Sequence, residues 1–150
     1  MLHWQFKQYN DLTVNEFHDI VALRIKVFVV EQNCPYQELD GKDKKSYHLI
    51  CRDGDGDLAG TMRILPKGVS YDEVAFGRIV LNIEERGEHQ GDQMMIEAMA
   101  FCKAEFGEVP IRLSGQKHLQ SFYKKHDFKA VGKEYLEDDI PHLEMYYKPS

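Results

Sequence analysis

The 150-residue sequence has few cysteines, and their spacing excludes two classes of protein. Cys34, Cys51 and Cys102 are an odd number without a C-x-x-C pair. The sequence therefore lacks the signature of a small disulfide-stabilised secreted domain and that of a zinc site built on paired cysteines. The sequence therefore predicts reduced thiols in a cytoplasmic protein. The seven histidines show no H-x-x-x-H spacing, so no metal site is expected either.

Long apolar runs and an excess of positive charge are also missing. No segment approaches the roughly 18 apolar residues of a membrane span, and the amino-terminal M-L-H-W-Q-F-K-Q-Y has no signal-peptide core. A formal net charge of −6 argues against nucleic acid or an anionic membrane as a partner. No repeat or linker interrupts the chain, which predicts one domain, residues 1–150, with a core of its own.

The hydrophobic pattern predicts an α/β fold with a mixed central sheet of about six to seven strands flanked by helices. A first helix should begin near Thr13, with Glu16 completing a capping box, and should fray at Val27 to Val30, where β-branched residues lower helix propensity. Two further helices are expected from Gly91 to Phe106 and from His118 to Lys125. The predicted strands are His3 to Gln8, Tyr47 to Arg52, Leu58 to Leu65, Phe76 to Ile83, Ile111 to Ser114, Phe128 to Val131 and Leu143 to Tyr147.

The stretch from Phe76 to Phe106 is the most informative. A strand leads through the polar loop Glu84 to Gln90 into an amphipathic helix, and unpaired amides at a helix N-terminus attract anions. Arg86 stands at the loop entrance, and Gly87 and Gly91 would allow close approach of a phosphate. The loop matches neither the P-loop nor the dinucleotide pattern. An anion site and an ordinary strand-to-helix turn both remain open.

The D-G-D-G-D turn from Asp53 to Asp57 invites a calcium interpretation. An EF-hand loop would need glycine at its sixth position and glutamate at its twelfth, where Leu58 and Ile64 stand. A solvated hairpin turn is the favoured prediction.

The polar loop resembles the R/Q-x-x-G-x-G/A loop of GNAT-superfamily acetyltransferases. Further segments resemble the ElaA-like branch: R-I-K-V-F-V-V-E-Q-N-C-P-Y from Arg24, followed by Glu38, Asp40, Asp43 and His48; G-R-I-V from Gly77; Q-K-H-L-Q-S-F-Y from Gln116; and Tyr135 to Met145. Three positions depart from the family pattern, with His89, Asp127 and Asp139 in place of glycine. Aspartate tolerates a left-handed backbone at modest cost, so the last two should be accommodated.

The resemblance implies a GNAT fold in which two central strands splay apart, and acetyl-CoA as co-substrate. The backbone of Ile79, Val80 and Leu81 would pair with the pantetheine arm. Gln116 would lie against the cofactor or, equally, face solvent at a helix entry. The pyrophosphate would be held by the amides of Arg86, Gly87, Glu88, His89, Gln90, Gly91 and Asp92.

The same resemblance implies catalytic residues. Tyr123 would be the general acid, although a phenol of pKa ~10 donates to a thiolate of pKa ~8.5 uphill by about 2 kcal/mol, so a hydrogen bond is favoured over complete proton transfer. Tyr123 as a core aromatic is the alternative. Glu31 and His48 are candidates for the base and for substrate binding, with His142 behind them. Each of these three has a purely structural alternative.

These observations predict an N-acetyltransferase that transfers an acetyl group from acetyl-CoA to a primary amine of a small molecule or peptide. Attack would be direct, without a metal, and a homodimer is possible. The alternative is a non-catalytic acyl-CoA-binding or interaction module. His89 favours that alternative because its side chain could obstruct the pyrophosphate.

Overall fold

The structure is a computed structural model that describes residues 2–82 and 89–149. Within these ranges one seven-stranded sheet has the order β1-β2-β3-β4-β5-β7-β6. All neighbouring strands are antiparallel except β4 and β5, which are parallel, so the predicted mixed sheet is confirmed. The strands are β1 His3–Gln8, β2 Tyr47–Arg52, β3 Leu58–Leu65, β4 Val74–Leu81, β5 Ile111–Gln116, β6 Phe128–Glu137 and β7 Ile140–Tyr147.

Three α-helices flank the sheet in the described part of the chain: α1 Val14–Ile25, α2 Gln90–Phe106 and α3 Gln120–Lys125. The predicted capping box begins α1, since the Glu16 amide donates to Thr13 Oγ at 3.0 Å and the Thr13 amide donates to Glu16 Oε1 at 2.8 Å. The predicted fraying at Val27 to Val30 is wrong. The backbone instead continues as a π-helical segment, Lys26–Glu31, which keeps Val27 buried.

The helices lie on opposite faces of the sheet. Val80 of β4 packs with Leu23 and Val27 of the first helical segment. Its neighbours Ile79 and Leu81 pack against the larger core, to which α2 contributes. Because side chains alternate along a strand, α1 covers one face and α2 the other. The larger core contains Leu49, Met62, Ile64, Phe76, Met94, Met95, Ala98, Cys102, Leu113, Tyr123, Phe128, Leu143 and Met145.

The carboxyl-terminal hairpin extends beyond its predicted limits. The predicted strand ended at Val131, but β6 runs on to Glu137 and turns through Asp138 and Asp139, whose φ angles are 50° and 64°. Two central residues with positive φ make a two-residue turn of the type that joins twisted strands directly. Most of β6 is exposed at the sheet edge, which removes the alternation that would have marked its second half.

The three departures from the family glycines all have a left-handed backbone. The φ angles of His89, Asp127 and Asp139 are 65°, 69° and 64°. The prediction that Asp127 and Asp139 can take this conformation is confirmed. His89 takes it as well, so each substitution occupies a position whose backbone favours glycine.

The acidic turn between β2 and β3 closes on itself. Asp53 Oδ1 accepts hydrogen bonds from the amides of Asp55 at 2.9 Å and Asp57 at 3.0 Å. The carboxylate thereby stabilises the hairpin turn, as the sequence predicted. Cys34, Cys51 and Cys102 are buried free thiols. No helix of the described residues is both long and apolar enough to cross a membrane.

Candidate active site

A cleft opens where the two parallel strands diverge. β4 and β5 pair only at residues 74–76 and 111–113. Beyond them β4 is irregular, with Arg78 at φ 50° and a register shift against β3 between Thr61 and Arg63. Residues 77–81 and 114–116 therefore form the two sides of a cleft of about 570 Å³. The splayed strand pair that the family resemblance implied is present.

The amino-terminal end of α2 lies at this cleft. Helix α2 begins at Gln90, and the Gln93 amide donates to the His89 carbonyl at 3.1 Å. The amides of Gln90, Gly91 and Asp92 therefore belong to the first turn of the helix, where a helix attracts anions. The His89 side chain is 89% exposed, so it does not fill the cleft. Arg86, Gly87 and Glu88, which we predicted to complete the phosphate loop, lie outside the described residues.

Helix α3 is fixed against the first turn of α2. A Cβ atom on Gly91 would lie 3.3 Å from the Phe122 ring. Asp92 accepts a hydrogen bond from His126 Nε2 at 2.8 Å and pairs with Lys125 Nζ at 3.1 Å. The hydrogen bonds from His126 and Lys125 lower the pKa of Asp92 to about 2. These contacts place α3, and with it the tyrosine that the sequence analysis singled out, beside the cleft.

Tyr123 borders the cleft from α3 and is 5% exposed. Its ring packs so closely on β5 that a Cβ atom on Gly115 would lie 2.8 Å from Cε2 of the tyrosine. Burial raises the pKa of Tyr123 well above its usual range. The phenol therefore keeps its proton at neutral pH and can donate a hydrogen bond into the cleft.

His142 borders the same cleft from β7 and is 6% exposed. Its Nδ1 lies 2.7 Å from the Ile140 carbonyl, which can only accept, so Nδ1 carries the donated proton. In the neutral ring Nε2 is then left with a lone pair. The imidazole stacks on Tyr135 with ring centroids 6.1 Å apart. This ring is oriented as a proton acceptor.

Tyr123 and His142 lie on opposite faces of the sheet. β5 and β7 pair without a shift, from Ile111 opposite Tyr147 to Gln116 opposite His142. Gly115 faces Tyr123, and its strand neighbour Gln116 must face the other way, together with His142. The cleft between β4 and β5 is bordered by both side chains. A ligand in the cleft can thus meet a phenol on one face and an imidazole on the other.

The remaining cofactor positions proposed from the sequence also border the cleft. Ile79, Val80, Leu81 and Gln116 all line it. Val80 is 4% exposed because it packs under α1, whereas Ile79 and Leu81 are half-buried. The pairing of β4 with β5 ends at residue 76, so the edge of β4 at residues 77–80 faces the cleft.

The structure does not bring Glu31 or His48 to this cleft. His48 is 1% exposed, its Nε2 donates to the Asp43 carbonyl at 2.9 Å, and burial lowers its pKa. Glu31 is exposed at the end of the π-helical segment. Neither is among the described residues that line the cleft, where His142 is the candidate base.

The motif that begins at Arg24 forms a buried ion network rather than a catalytic group. Arg24, 1% exposed, donates from Nε and Nη2 to Glu38 at 3.0 and 2.9 Å and from Nη1 to Asp43 at 2.8 Å. Arg63 of β3 donates to Asp40 at 2.8 and 3.0 Å. Every charge in this set has an opposite charge within hydrogen-bond distance, as burial requires.

This network also binds Arg78, the residue of β4 with a left-handed backbone. Arg78 donates from Nη2 to the Glu38 carbonyl at 2.9 Å, and its Nε lies 2.6 Å from the Glu38 carboxylate. Its guanidinium lies over the Tyr36 ring, 5.5 Å from the centroid. The loop after α1 is thereby attached to the strand that forms one side of the cleft.

Sequence reasoning missed three polar side chains near His142. Ser114 of β5 hydrogen-bonds to two side chains of β6, those of Tyr135 and Glu137. The signal was the Asp138-Asp139 turn: a two-residue hairpin loop sets Glu137 opposite Ile140 and Tyr135 opposite His142. The sequence pattern places Ser114 at the end of one strand and ends the following strand at Val131, so the pairing of Tyr135 and Glu137 with β7 was not predicted.

Comparison with known proteins gives the family. The Acetyltransferase (GNAT) domain family matches residues 8–149. Protein ElaA of Escherichia coli is 37% identical over 97% of this chain and 95% of its own, and its crystal structure superimposes with a TM-score of 0.92 over 99% and 100% of the two chains. An acyl-CoA N-acyltransferase from Pseudomonas aeruginosa has 40% identity and a TM-score of 0.93 over 98% and 99%. The UPF0039 protein of Schizosaccharomyces pombe is 39% identical over 96% of this chain and 95% of its own. The chain therefore has the acyl-CoA N-acyltransferase fold and belongs to the GNAT acetyltransferase family, in its ElaA-like branch.

Proposed function

We propose that this protein transfers an acetyl group from acetyl-CoA to a primary amine by direct attack. Membership of the GNAT family supports acyl transfer from an acyl-CoA. The observation that supports direct transfer to an amine is that Tyr123 and His142 lie on opposite faces of the sheet and both border one cleft. The amine that attacks the carbonyl carbon and the thiolate that leaves it lie in different directions from that carbon. The cleft offers each of them a suitable side chain.

The residues present fit acetyl-CoA. The edge of β4 that faces the cleft at residues 77–80 can pair with the amide groups of the pantetheine arm, as an added strand would. The amides of Gln90, Gly91 and Asp92 can donate to the pyrophosphate at the start of α2. Arg86, Gly87, Glu88 and His89 complete this proposed loop, and Gln116 lies beside the arm. The exposed His89 side chain leaves the cleft open, which weakens its case as an obstruction.

Tyr123 is the proposed donor to the leaving group. Its buried, protonated phenol can hydrogen-bond to the sulfur as negative charge develops there. A hydrogen bond to a charged atom contributes about 1.5–3 kcal/mol, which corresponds to roughly 10- to 150-fold in rate. Because burial makes this phenol a weaker acid, Tyr123 keeps its proton, and CoA leaves as a thiolate stabilised by the hydrogen bond.

His142 replaces Glu31 and His48 as our proposed base. Its Nε2 accepts a proton from the amine nitrogen, directly or through one water molecule, as the new C–N bond forms. The electron pair of the C–S bond goes to sulfur, and the CoA thiolate takes up a proton from solvent while His142 releases its proton to solvent. His142 also contacts the acceptor in this proposal, whereas Glu31 and His48 are not among the described residues that line the cleft.

Release of the CoA thiol tests the function. The purified protein is given acetyl-CoA and each member of a panel of primary amines and amino-terminal peptides, and free thiol is followed over time. We expect release above the hydrolysis background with at least one amine, with the acetylated amine identified by mass. A calorimetric signal with acetyl-CoA but no acetylated product across the panel would favour the non-catalytic acyl-CoA-binding module.

A further inference from the structure

A carboxylate that the mechanism above does not use stands beside the proposed base. Glu137 is the last residue of β6 and borders the cleft. Its Oε2 lies 3.5 Å from Nε2 of His142, and its side chain is 48% exposed. The two side chains come from strands that pair with each other, so their separation is set by the sheet.

Glu137 is held in place from β5, which lies on the far side of β7. Ser114 Oγ of β5 donates to Glu137 Oε1 at 3.3 Å. The same Ser114 hydroxyl hydrogen-bonds to the Tyr135 hydroxyl. Tyr135 in turn stacks on the His142 ring. Side chains from β5, β6 and β7 thus surround the imidazole with one connected set of contacts.

The contact between Glu137 and His142 changes with protonation. While Nδ1 donates to the Ile140 carbonyl, the neutral ring presents a lone pair at Nε2, and a lone pair and a carboxylate oxygen do not attract. Once Nε2 holds a proton, the same pair becomes a charge-assisted hydrogen bond. The arrangement therefore favours the ring after it has taken a proton from an amine.

We propose that Glu137 is a positioning residue that orients His142 and stabilises its protonated form while the amine is deprotonated. This inference rests on the proposed function. Other charged or titratable groups lie on the paired strands, namely Tyr135 on β6 and Glu144 on β7, or line the same cleft, namely Cys34, Tyr36, Arg78 and Asp138. Glu144 is committed to Arg112 at 2.9 Å. Of the described carboxylates, Glu137 is the one paired with Nε2.

The variant Glu137→Gln tests the role, with Glu134→Gln as its matched control. Glu134 is also on β6, but it pairs with Lys117 at 2.9 Å. We expect Glu137→Gln to lower kcat about tenfold, with KM for acetyl-CoA unchanged, and to move the acid limb of kcat/KM to lower pH. Glu137→Asp should restore part of the rate and the wild-type limb. Wild-type kcat and pH profile in Glu137→Gln would overturn the proposal.

A second readout needs no turnover and separates this proposal from the proposed function. The ring-nitrogen NMR signals of His142, identified by their loss in His142→Gln, are followed against pH in the wild type and in Glu137→Gln. A lower titration midpoint in Glu137→Gln supports the pairing even if no amine is acetylated. Equal midpoints overturn it, whatever the activity.

Discussion

Tyr123 and His142 border the same cleft from opposite faces of the sheet. Tyr123 packs against Gly115 on the α2 side, and His142 pairs with Gln116, the next residue of β5, on the α1 side. Only where β4 leaves β5 after residue 76 can a ligand reach both. The divergence of two parallel strands therefore creates the proposed active site, and the predictions below test its parts.

Removal of the Tyr123 hydroxyl should slow turnover without weakening cofactor binding. We expect Tyr123→Phe to reduce kcat by about 10- to 100-fold, because a hydrogen bond to a developing thiolate is lost, with little change in KM for acetyl-CoA. Tyr47→Phe is the control, since its hydroxyl pairs with Glu105 and Gln8 away from the cleft. Equal rates for Tyr123→Phe and wild type would remove Tyr123 from the mechanism.

The close contact between β5 and α3 should not tolerate one added carbon. A Cβ atom on Gly115 would lie 2.8 Å from Tyr123 Cε2 and 3.1 Å from Leu113 Cδ1. We expect Gly115→Ala to lower the free energy of unfolding by about 1–3 kcal/mol and to reduce kcat as the tyrosine ring shifts. Gly54→Ala is the control, because its Cβ atom would meet no atom within 4 Å. Urea unfolding and thiol release provide the two measurements.

The base should be His142 and not the two residues first proposed. We expect His142→Gln to lower kcat by about 100-fold or more, the usual contribution of general base catalysis. Glu31→Gln, outside the cleft, should leave the pH–rate profile unchanged. A loss of rate in Glu31→Gln with wild-type behaviour in His142→Gln would reverse the assignment. His48→Ala is less informative, because His48 is buried and bonded to the backbone.

The buried ion network should be costly to break on one side. Glu38→Gln leaves the guanidinium of Arg24, 1% exposed, with half of its carboxylate partners. We expect the free energy of unfolding to fall by about 3 kcal/mol, the usual cost of removing one partner of a buried pair. Glu134→Gln, at an exposed pair, should cost less than about 1 kcal/mol. Similar urea midpoints for the two variants would contradict the role of this network.

The same network should make stability fall in acid. Burial alone would raise the pKa of Asp43, but Arg24 and Arg63 outweigh it and lower the pKa, and Arg63 does the same for Asp40. Because the unfolded carboxyls titrate near ~3.9, this stability is present above about pH 4 and lost as pH falls toward the folded values. Urea unfolding at pH 6 and pH 3.5 measures the loss. Asp40→Asn should reduce it, and an unchanged loss in that variant would contradict the account.

Local patterns in the sequence predicted most of the fold. The strands from His3 to Gln8, Tyr47 to Arg52 and Leu58 to Leu65 have the predicted limits, since they alternate or end at glycine-rich turns. The carboxyl-terminal limit of β6 was not predicted, because its exposed second half lies at the sheet edge and its apolar and polar residues do not alternate. The π-helical segment was missed because periodicity cannot distinguish a widened turn from a frayed one.

The site was less predictable because it depends on strand pairing. Tyr123 and the α2 terminus were found from the family motifs, and both border the cleft. His48 and Asp43 belong to an equally recognisable motif, yet His48 bonds to the Asp43 carbonyl and Asp43 pairs with Arg24, and neither is among the described residues that line the cleft. The local signal for Glu137 was the Asp138-Asp139 turn, and its proposed role follows from the register that places β6 beside His142.

A crystal structure of the protein grown with acetyl-CoA is the most direct test of the central claim. The account predicts the pantetheine arm along residues 77–81, the pyrophosphate at the amides of Gln90 to Asp92, and the thioester carbon between Tyr123 and His142. Acetyl-CoA bound elsewhere, or with its thioester out of reach of both side chains, would contradict the account.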